Sequence, residues 1–119
     1  LIAGPGHRVS DTLKEGDHMA GFSVLEVPGH APGHLAFWRE KDRVLILGDV
    51  VFGLRVPSAR AGLQLPPNAF TPDPHQNLAS ARRLAALEPA VVCFGHGPPL
   101  YDGDRFCKFV AEATVGDLR

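Results

Sequence analysis

Short apolar runs, separated by turn-forming residues, predict strands in the first half of the chain and once more near its end. FSVLEVPG at residues 22–29 has apolar side chains on both faces, and LAFWRE at residues 35–40 predicts a second strand. RVLILGD at residues 43–49 is a continuous apolar run, which is typical of a strand covered on both faces. AVVCF at residues 90–94 predicts a further short buried strand, because glycine follows it at once.

Two segments of the second half have the spacing of amphipathic helices. Asp73 followed by Pro74 is typical of a helix N-terminus, because aspartate caps free backbone N–H groups and proline suits the first turn. The apolar side of this helix, which ends before Pro89, is Leu78, Ala81, Leu84, Ala85 and Leu87. A last helix is predicted from about Asp104, with an apolar side made of Phe106, Phe109, Val110 and Ala113.

Residues 50–71 connect these regions without any helical or strand periodicity, and they contain Pro57, Gly62, Pro66 and Pro67. A connection of this length often forms a lid or a binding loop, and a variable surface connection is the alternative. The predicted order is strand, strand, strand, long loop, helix, strand, helix. This order indicates an α/β fold in which helices cover a layered sheet.

Composition narrows the class of protein. The 119 residues suit one domain or a piece of one, and 45% apolar with 21% charged residues is typical of globular chains. The formal net charge is −1 and no basic run is present, so no nucleic-acid partner is expected. No apolar stretch approaches the roughly 20 residues of a membrane span, so no membrane partner is expected either. Two cysteines are too few for a disulfide scaffold, which favours a cytoplasmic location.

Three polar residues share one position in the pattern, since each follows an apolar strand and lies beside a glycine. They are His30, Asp49 and His96. Strand ends in layered α/β folds are where ligands and catalytic groups gather. Two imidazoles and a carboxylate form a donor set that suits zinc or iron. The alternative is that each is an ordinary turn residue, because histidine and aspartate are common beside glycine.

The segments VPGHAPGH, LILGDV and CFGHGPP resemble, in order and spacing, three metal-binding motifs of the metallo-β-lactamase-fold hydrolases. The PGHxxGH form is most similar to the glyoxalase II-like branch. The resemblance covers residues 1 to 110 or so, and it implies the C-terminal half of an αββα fold. It implies that His30 completes the ligands of a first metal, that Asp49 bridges two metals, and that His96 binds the second.

The same resemblance suggests roles around these ligands. His34 matches a position beside the metal ligands or in the pocket lining, and a purely structural role in the turn is equally compatible. Phe52 and Arg55, together with Arg60 and Phe70, would shape a substrate pocket. One or two zinc ions are implied, and iron or manganese also tolerates this donor set.

One family motif has no copy in this sequence. HxHxDH supplies most of the remaining ligands, and it belongs upstream of the segments above. Asp17-His18 looks similar, but the two histidines required before it would fall at Leu13 and Glu15. Asp17 and His18 are therefore predicted to be turn residues before a strand rather than ligands.

The remaining histidines and the cysteines are assigned structural roles. His7 and His75 are predicted on the surface, the latter in the first turn of a helix. Cys93, on the strand before the GHG turn, is expected to be a small core residue rather than a nucleophile. Cys107 lies on the last helix, and no motif accompanies it.

Two functional hypotheses follow. In the first, residues 1–119 are a single, incomplete metallo-β-lactamase-like domain of a metal-dependent hydrolase, with the upstream HxHxDH half missing from this chain. A metal-bound hydroxide would attack a small-molecule ester, thioester or lactam, and this chain alone would be inactive or weakly active. In the second, it is a non-catalytic half-domain that forms a homodimer through an exposed sheet face. An inert fragment is the third possibility.

Overall fold

A computed structural model describes residues 13–56 and 58–115; the predicted surface residue His7 lies outside them. The strands within these ranges are β1 (His18–Met19), β2 (Phe22–Glu26), β3 (Leu35–Arg39), β4 (Val44–Gly48), β5 (Phe52–Leu54), β6 (Ala61–Gln64) and β7 (Val91–Phe94). The helices are α1 (Pro74–Ala85) and α2 (Gly103–Glu112), and a short 3-10 helix spans Asn68–Phe70. The predicted α/β class is confirmed.

Five of the strands form one sheet in the order β1-β2-β3-β4-β7. The first four are joined by short turns and pair antiparallel, whereas β7 pairs with β4 in parallel. A parallel neighbour needs a crossover connection, and the chain supplies it with α1, which lies between β4 and β7 in sequence. This pairing places the C-terminal ends of β4 and β7 side by side, so that Asp49 and His96, which follow these ends, lie close together.

Both helices begin within one residue of the predicted positions, whereas Leu87 and Ala113, predicted on their apolar sides, lie just beyond their ends. The side chain of Asp73 accepts a hydrogen bond from the backbone N of Gln76 at 3.0 Å, and α1 ends at Ala85, before Pro89. Asp102 caps α2 through the backbone N of Arg105 at 3.2 Å. The apolar sides of the helices pack on one face of the sheet in a single core that includes Leu78, Leu84, Phe106, Val110, Leu45, Val92 and Trp38.

The opposite face of the sheet is only partly buried. Val24, Phe37, Ile46 and Cys93 are paired in register across four strands, so they share this face. Val24 is fully buried, but Ile46 is 36% exposed and Cys93 is intermediate. The expectations that β4 is covered on both faces and that Cys93 lies in the core were therefore wrong. A continuous apolar run does not reveal that Leu45 and Leu47 face the helices while Ile46 faces away.

The expectation that residues 50–71 lack regular structure was also wrong. β5 and β6 form an antiparallel hairpin, and the 3-10 helix follows it. The backbone N of Gly53 donates to the carbonyl of His96 at 2.8 Å, so a contact distant in sequence holds the hairpin in place. Local periodicity could not indicate it, because β5 and β6 are three and four residues long and contain glycine.

His18 departs from its predicted turn position, because His18–Met19 forms β1 and pairs with β2. Asp17 does lie in the turn, where its side chain accepts a hydrogen bond from the backbone N of Lys14 at 2.9 Å. No helix among the described residues is long and apolar enough to cross a membrane. The cytoplasmic location stays a prediction.

Candidate metal centre

The turn that carries His30 is packed tightly against α1. Gly29 has a φ of +127°, a conformation that favours glycine, and any Cβ there would overlap the backbone of Asn77. The carbonyl of Gly29 accepts from the backbone N of Asp73 at 3.0 Å, and that of Pro28 accepts from the Ser80 hydroxyl at 2.8 Å. Helix packing therefore fixes where the His30 ring lies.

The tautomer of His30 follows from its neighbour Thr71. The Thr71 hydroxyl donates its one hydrogen to the carbonyl of Pro67 at 3.0 Å, and it lies 3.3 Å from Nδ1 of His30. Because that hydrogen is already used, the hydroxyl can only accept from His30, whose Nδ1 must carry a proton. A neutral His30 then has its lone pair on Nε2, which is the arrangement a metal-binding histidine needs.

The two carboxylate oxygens of Asp49 face the two other predicted ligands. Oδ2 lies 3.9 Å from Nε2 of His30, and Oδ1 lies 2.8 Å from Nδ1 of His96. The first distance is too long for a hydrogen bond, whereas the second is a short one in which His96 donates. The structure thus brings His30, Asp49 and His96 together, with the carboxylate in the middle.

The turn that carries His96 lies at the end of β7 and is more open. The side chain of His96 is 53% exposed, compared with 17% for His30. A Cβ on Gly95 would overlap Oδ1 of Asp49, so glycine at this position lets the carboxylate lie against the turn. Gly97, with a φ of +105°, packs on the backbone of Gly53 in the hairpin.

His34 contacts the backbone of Asp49 and the ring of His30. Its Nε2 is 3.4 Å from the backbone N of Asp49, and its ring centroid is 6.0 Å from that of His30. Burial lowers the pKa of His34, the neighbouring His30 lowers it further, and the charge of Asp49 opposes both effects. A neutral ring that accepts the Asp49 N–H at Nε2 carries its proton on Nδ1, which is buried without a partner among the described residues.

Of the four residues predicted to shape a pocket, Arg60 and Phe70 are exposed, and Phe52 and Arg55 lie in different places. Phe52 packs between the histidine rings, with its ring centroid 4.8 Å from that of His96 and 6.5 Å from that of His30. Arg55 instead lines a groove of about 300 Å³ between the hairpin and α2, where Glu112 also lies. None of the three predicted metal ligands lines that groove.

Thr71 is a site residue that the sequence did not indicate. It lies 41 positions from His30 in the segment that was predicted to be an irregular loop. Thr71 lies two residues before the predicted helix N-cap Asp73, and nothing in the neighbouring sequence indicates that it contacts a histidine. Only the fold, which places the 3-10 helix beside the His30 turn, reveals the contact.

The donor set fits a metal centre in its chemistry, but its three side chains are not arranged as the complete ligand set of one metal ion. Zinc sites in enzymes normally take three protein ligands and one water. In the part of the chain that the structure describes, no group of three or more His, Cys, Asp or Glu side chains is arranged to hold a metal ion. His30, Asp49 and His96 therefore suit part of a centre that needs further ligands.

Comparison with known proteins identifies the family that this geometry belongs to. The family described as "Metallo-beta-lactamase superfamily" matches residues 1–96. The chain belongs to the metallo-beta-lactamase superfamily. Among solved structures, a metallo-beta-lactamase family protein from Thermus thermophilus is 36% identical with a TM-score of 0.57, covering 83% of this chain and 33% of that one. The predicted resemblance and fold are confirmed.

Curated members of this superfamily that resemble the chain include hydrolases, and they are much longer. The probable metallo-hydrolase YflN of Bacillus subtilis is 38% identical over an alignment of 94 residues that covers 74% of this chain and 35% of YflN. A hydroxyacylglutathione hydrolase of Bdellovibrio bacteriovorus is 50% identical over 46 residues, 35% of this chain and 18% of that protein. TTHA1623, solved in a di-iron-bound form, is 32% identical with a TM-score of 0.58, covering 84% of this chain and 44% of TTHA1623.

Proposed function

We propose that this chain supplies part of the active site of a metal-dependent hydrolase, as a single incomplete metallo-β-lactamase-like domain. The observation that carries the proposal is the position of Asp49. One of its carboxylate oxygens faces His30 and the other faces His96, and the three residues follow different strands. These three side chains are far apart in sequence, and they meet at one end of the strands of the sheet. Since the arrangement lacks ligands, the rest of the centre has to come from polypeptide other than these three side chains.

The residues of this chain would prepare that centre in three ways. His30 presents an unprotonated Nε2, because Thr71 fixes its other nitrogen. Asp49 contributes the negative charge that attracts a cation between the imidazoles. Phe52, which is 8% exposed, packs against both histidine rings from the hairpin side. A bound metal would supply a hydroxide near neutral pH and polarise a carbonyl, which suits an ester, thioester or lactam.

The identity of the metal is part of the proposal. Two imidazoles and a carboxylate suit zinc, and they also accept iron or manganese. The di-iron form of TTHA1623 and the hydroxyacylglutathione hydrolase of B. bacteriovorus support a metal-dependent hydrolase acting on a small molecule. We propose one or two zinc ions as the first choice, with a small-molecule substrate.

A metal titration tests the proposal on the 119-residue chain itself. Asp49→Asn keeps the shape of the side chain and removes its charge, so Zn²⁺ binding measured by calorimetry should weaken by about 10- to 100-fold or more. Asp42→Asn is the matched control, because Asp42 is an exposed carboxylate paired with Arg39 at 2.8 Å, away from the site. Equal Zn²⁺ affinity in the wild type and in Asp49→Asn would contradict the proposal.

The homodimer remains a second candidate, and one observation favours it. Ile46 is 36% exposed in β4, an inner strand of the sheet, on the face opposite the helices. A second copy that covers this face would bury Ile46 and Phe37. The mass in the titrated sample decides between the candidates: sedimentation at 12.8 kDa excludes the homodimer, and twice that mass supports it.

A further inference from the structure

Two grooves flank the β5–β6 hairpin, and Leu63 lines both of them. The larger groove contains charges of both signs, Arg55 and Glu112. The smaller groove, of about 180 Å³, runs between the hairpin and the segment that follows β7. Apolar side chains and glycines make up most of its lining, and the one charged residue among the described residues that line it is Arg105.

The smaller groove begins next to the candidate metal centre. Gly53 and Phe94 line it, and the backbone N of Gly53 donates to the carbonyl of His96 at 2.8 Å. Phe52, the neighbour of Gly53, packs on the His96 ring. The groove therefore extends from the Gly53–His96 contact to Arg105, and none of the three predicted metal ligands lines it.

The guanidinium of Arg105 is available for a ligand. Arg105 is exposed, and the hydrogen bond that it makes within the described residues comes from its backbone N, to Asp102. Other arginines are occupied by protein groups: Arg39 by Asp42, Arg43 by Glu88, Arg82 by Ala113 and Arg83 by Glu15. Neither Asp102 nor Asp104 lines the groove, so no carboxylate of the described residues competes inside it.

We propose that this groove binds a carboxylate at the end of an apolar arm, with Arg105 as the cationic partner. A guanidinium binds a carboxylate through two parallel hydrogen bonds, and one positive charge balances one negative charge. A phosphate dianion would need further cations or N–H donors, which the apolar lining does not offer. The apolar walls suit a short aliphatic or aromatic arm between the charge and the centre.

This inference rests on the proposed function, because it assigns the substrate of that same site. It names the substrate class as an acyl compound that carries a carboxylate several carbons away from the bond to be hydrolysed. In this arrangement Arg105 is a specificity-determining residue. It holds the remote end of the substrate, while the reacting carbonyl lies beside His96.

The experiment uses the 119-residue chain without added metal and two probes of equal length, hexanoate and hexanol. Amide chemical shifts in NMR titrations report where and how strongly each probe binds. Hexanoate should shift the signals of Gly53, Gly62 and Leu100, and it should bind about tenfold more tightly than hexanol because of the charge-assisted hydrogen bond. Arg105→Gln should reduce hexanoate affinity to that of hexanol, whereas Arg105→Lys should restore much of the difference.

Lys108→Gln is the matched control, because Lys108 is an exposed cation on the same helix as Arg105 and lines neither groove. It should leave hexanoate affinity unchanged. Any of three results would overturn the inference. These are equal affinity for hexanoate and hexanol, chemical-shift changes confined to the Arg55 groove, and unchanged hexanoate affinity in Arg105→Gln. These outcomes are independent of Zn²⁺ binding, so failure of the carboxylate groove and failure of the metal centre are distinguishable.

Discussion

The two histidine-bearing turns of the site are built on different supports. The His30 turn lies on α1, where backbone and hydroxyl hydrogen bonds join Pro28 and Gly29 to the helix. The His96 turn lies on the hairpin and on Asp49, and its histidine is three times as exposed. One predicted ligand is therefore fixed by the core of the domain, and the other by contacts at its surface.

His30 is therefore the more preorganised of the two histidines. His30 keeps its ring orientation because core packing and Thr71 leave it little freedom. His96 donates to Asp49 from an exposed position, so its orientation depends on that hydrogen bond and on the Phe52 ring rather than on core packing. We therefore expect substitutions at the His30 turn to cost folding stability, and substitutions at the His96 turn to cost less.

Glycine-to-alanine changes test this contrast with the largest expected effect. Gly29→Ala should lower the free energy of unfolding by about 3 to 5 kcal/mol, because a Cβ overlaps the Asn77 backbone and the positive φ is strained. Gly97→Ala should cost less, about 2 kcal/mol, because its Cβ also overlaps backbone, that of Gly53, but the exposed turn that carries Gly97 can shift. Gly16→Ala, with a positive φ but open space around it, should cost about 1 to 2 kcal/mol.

Urea denaturation of the wild type and the three variants measures these differences. Gly16→Ala is the control that isolates backbone strain from steric overlap. If Gly97→Ala destabilises the chain as much as Gly29→Ala, both turns are equally part of the core, and the contrast is wrong.

The intermediate effect concerns the orientation of His30. Thr71→Val removes the oxygen that accepts from Nδ1, so Zn²⁺ affinity should fall by about 10- to 100-fold. Thr71→Ser keeps the hydroxyl and should retain most of the affinity. Calorimetry gives the affinities, and urea denaturation shows whether the valine variant is still folded. Unchanged affinity in a folded Thr71→Val protein would show that His30 needs no orienting partner.

The smallest effect is the pH dependence of stability that comes from His34. Its pKa is lowered in the folded chain, mainly by burial, so the unfolded chain takes up a proton more readily. The stability that depends on neutral His34 is complete above the unfolded pKa of about 6.5, and it is lost as the pH falls through the lower folded pKa.

Urea denaturation between about pH 7.5 and about pH 5, a range that brackets the ordinary histidine pKa, measures this dependence. His34→Gln should flatten it, whereas His75→Gln should leave it unchanged, because His75 is exposed on α1. A pH dependence that is identical in the wild type and in His34→Gln would show that another group controls acid stability.

Much of the fold could be predicted because local signals agree with the tertiary structure. Apolar runs between turns predicted β2, β3, β4 and β7, and the Asp73-Pro74 pair predicted the start of α1. These elements need little information from distant parts of the chain. The positions of the predicted ligands at strand ends likewise follow from the order of strands and glycines.

The rest depends on contacts between residues far apart in sequence. The hairpin is held by the Gly53–His96 hydrogen bond, and neither of its strands shows a clean alternation of apolar and polar residues. Thr71 reaches His30 only through the path of the 3-10 helix. For the same reason the sequence could not separate Phe52, which contacts the histidines, from Arg55, which lines another groove.

The outer side of β7 illustrates how a short return of the chain protects a sheet. Val92 exchanges two backbone hydrogen bonds with Leu100, at 2.9 and 2.8 Å, on the side of β7 that faces away from β4. An unpaired edge at this point would be a template for the strand of another molecule. The Val92–Leu100 hydrogen bonds pair this part of the edge with the chain itself. They hold the two ends of the His96 loop together, and they leave fewer free backbone groups for another molecule to pair with.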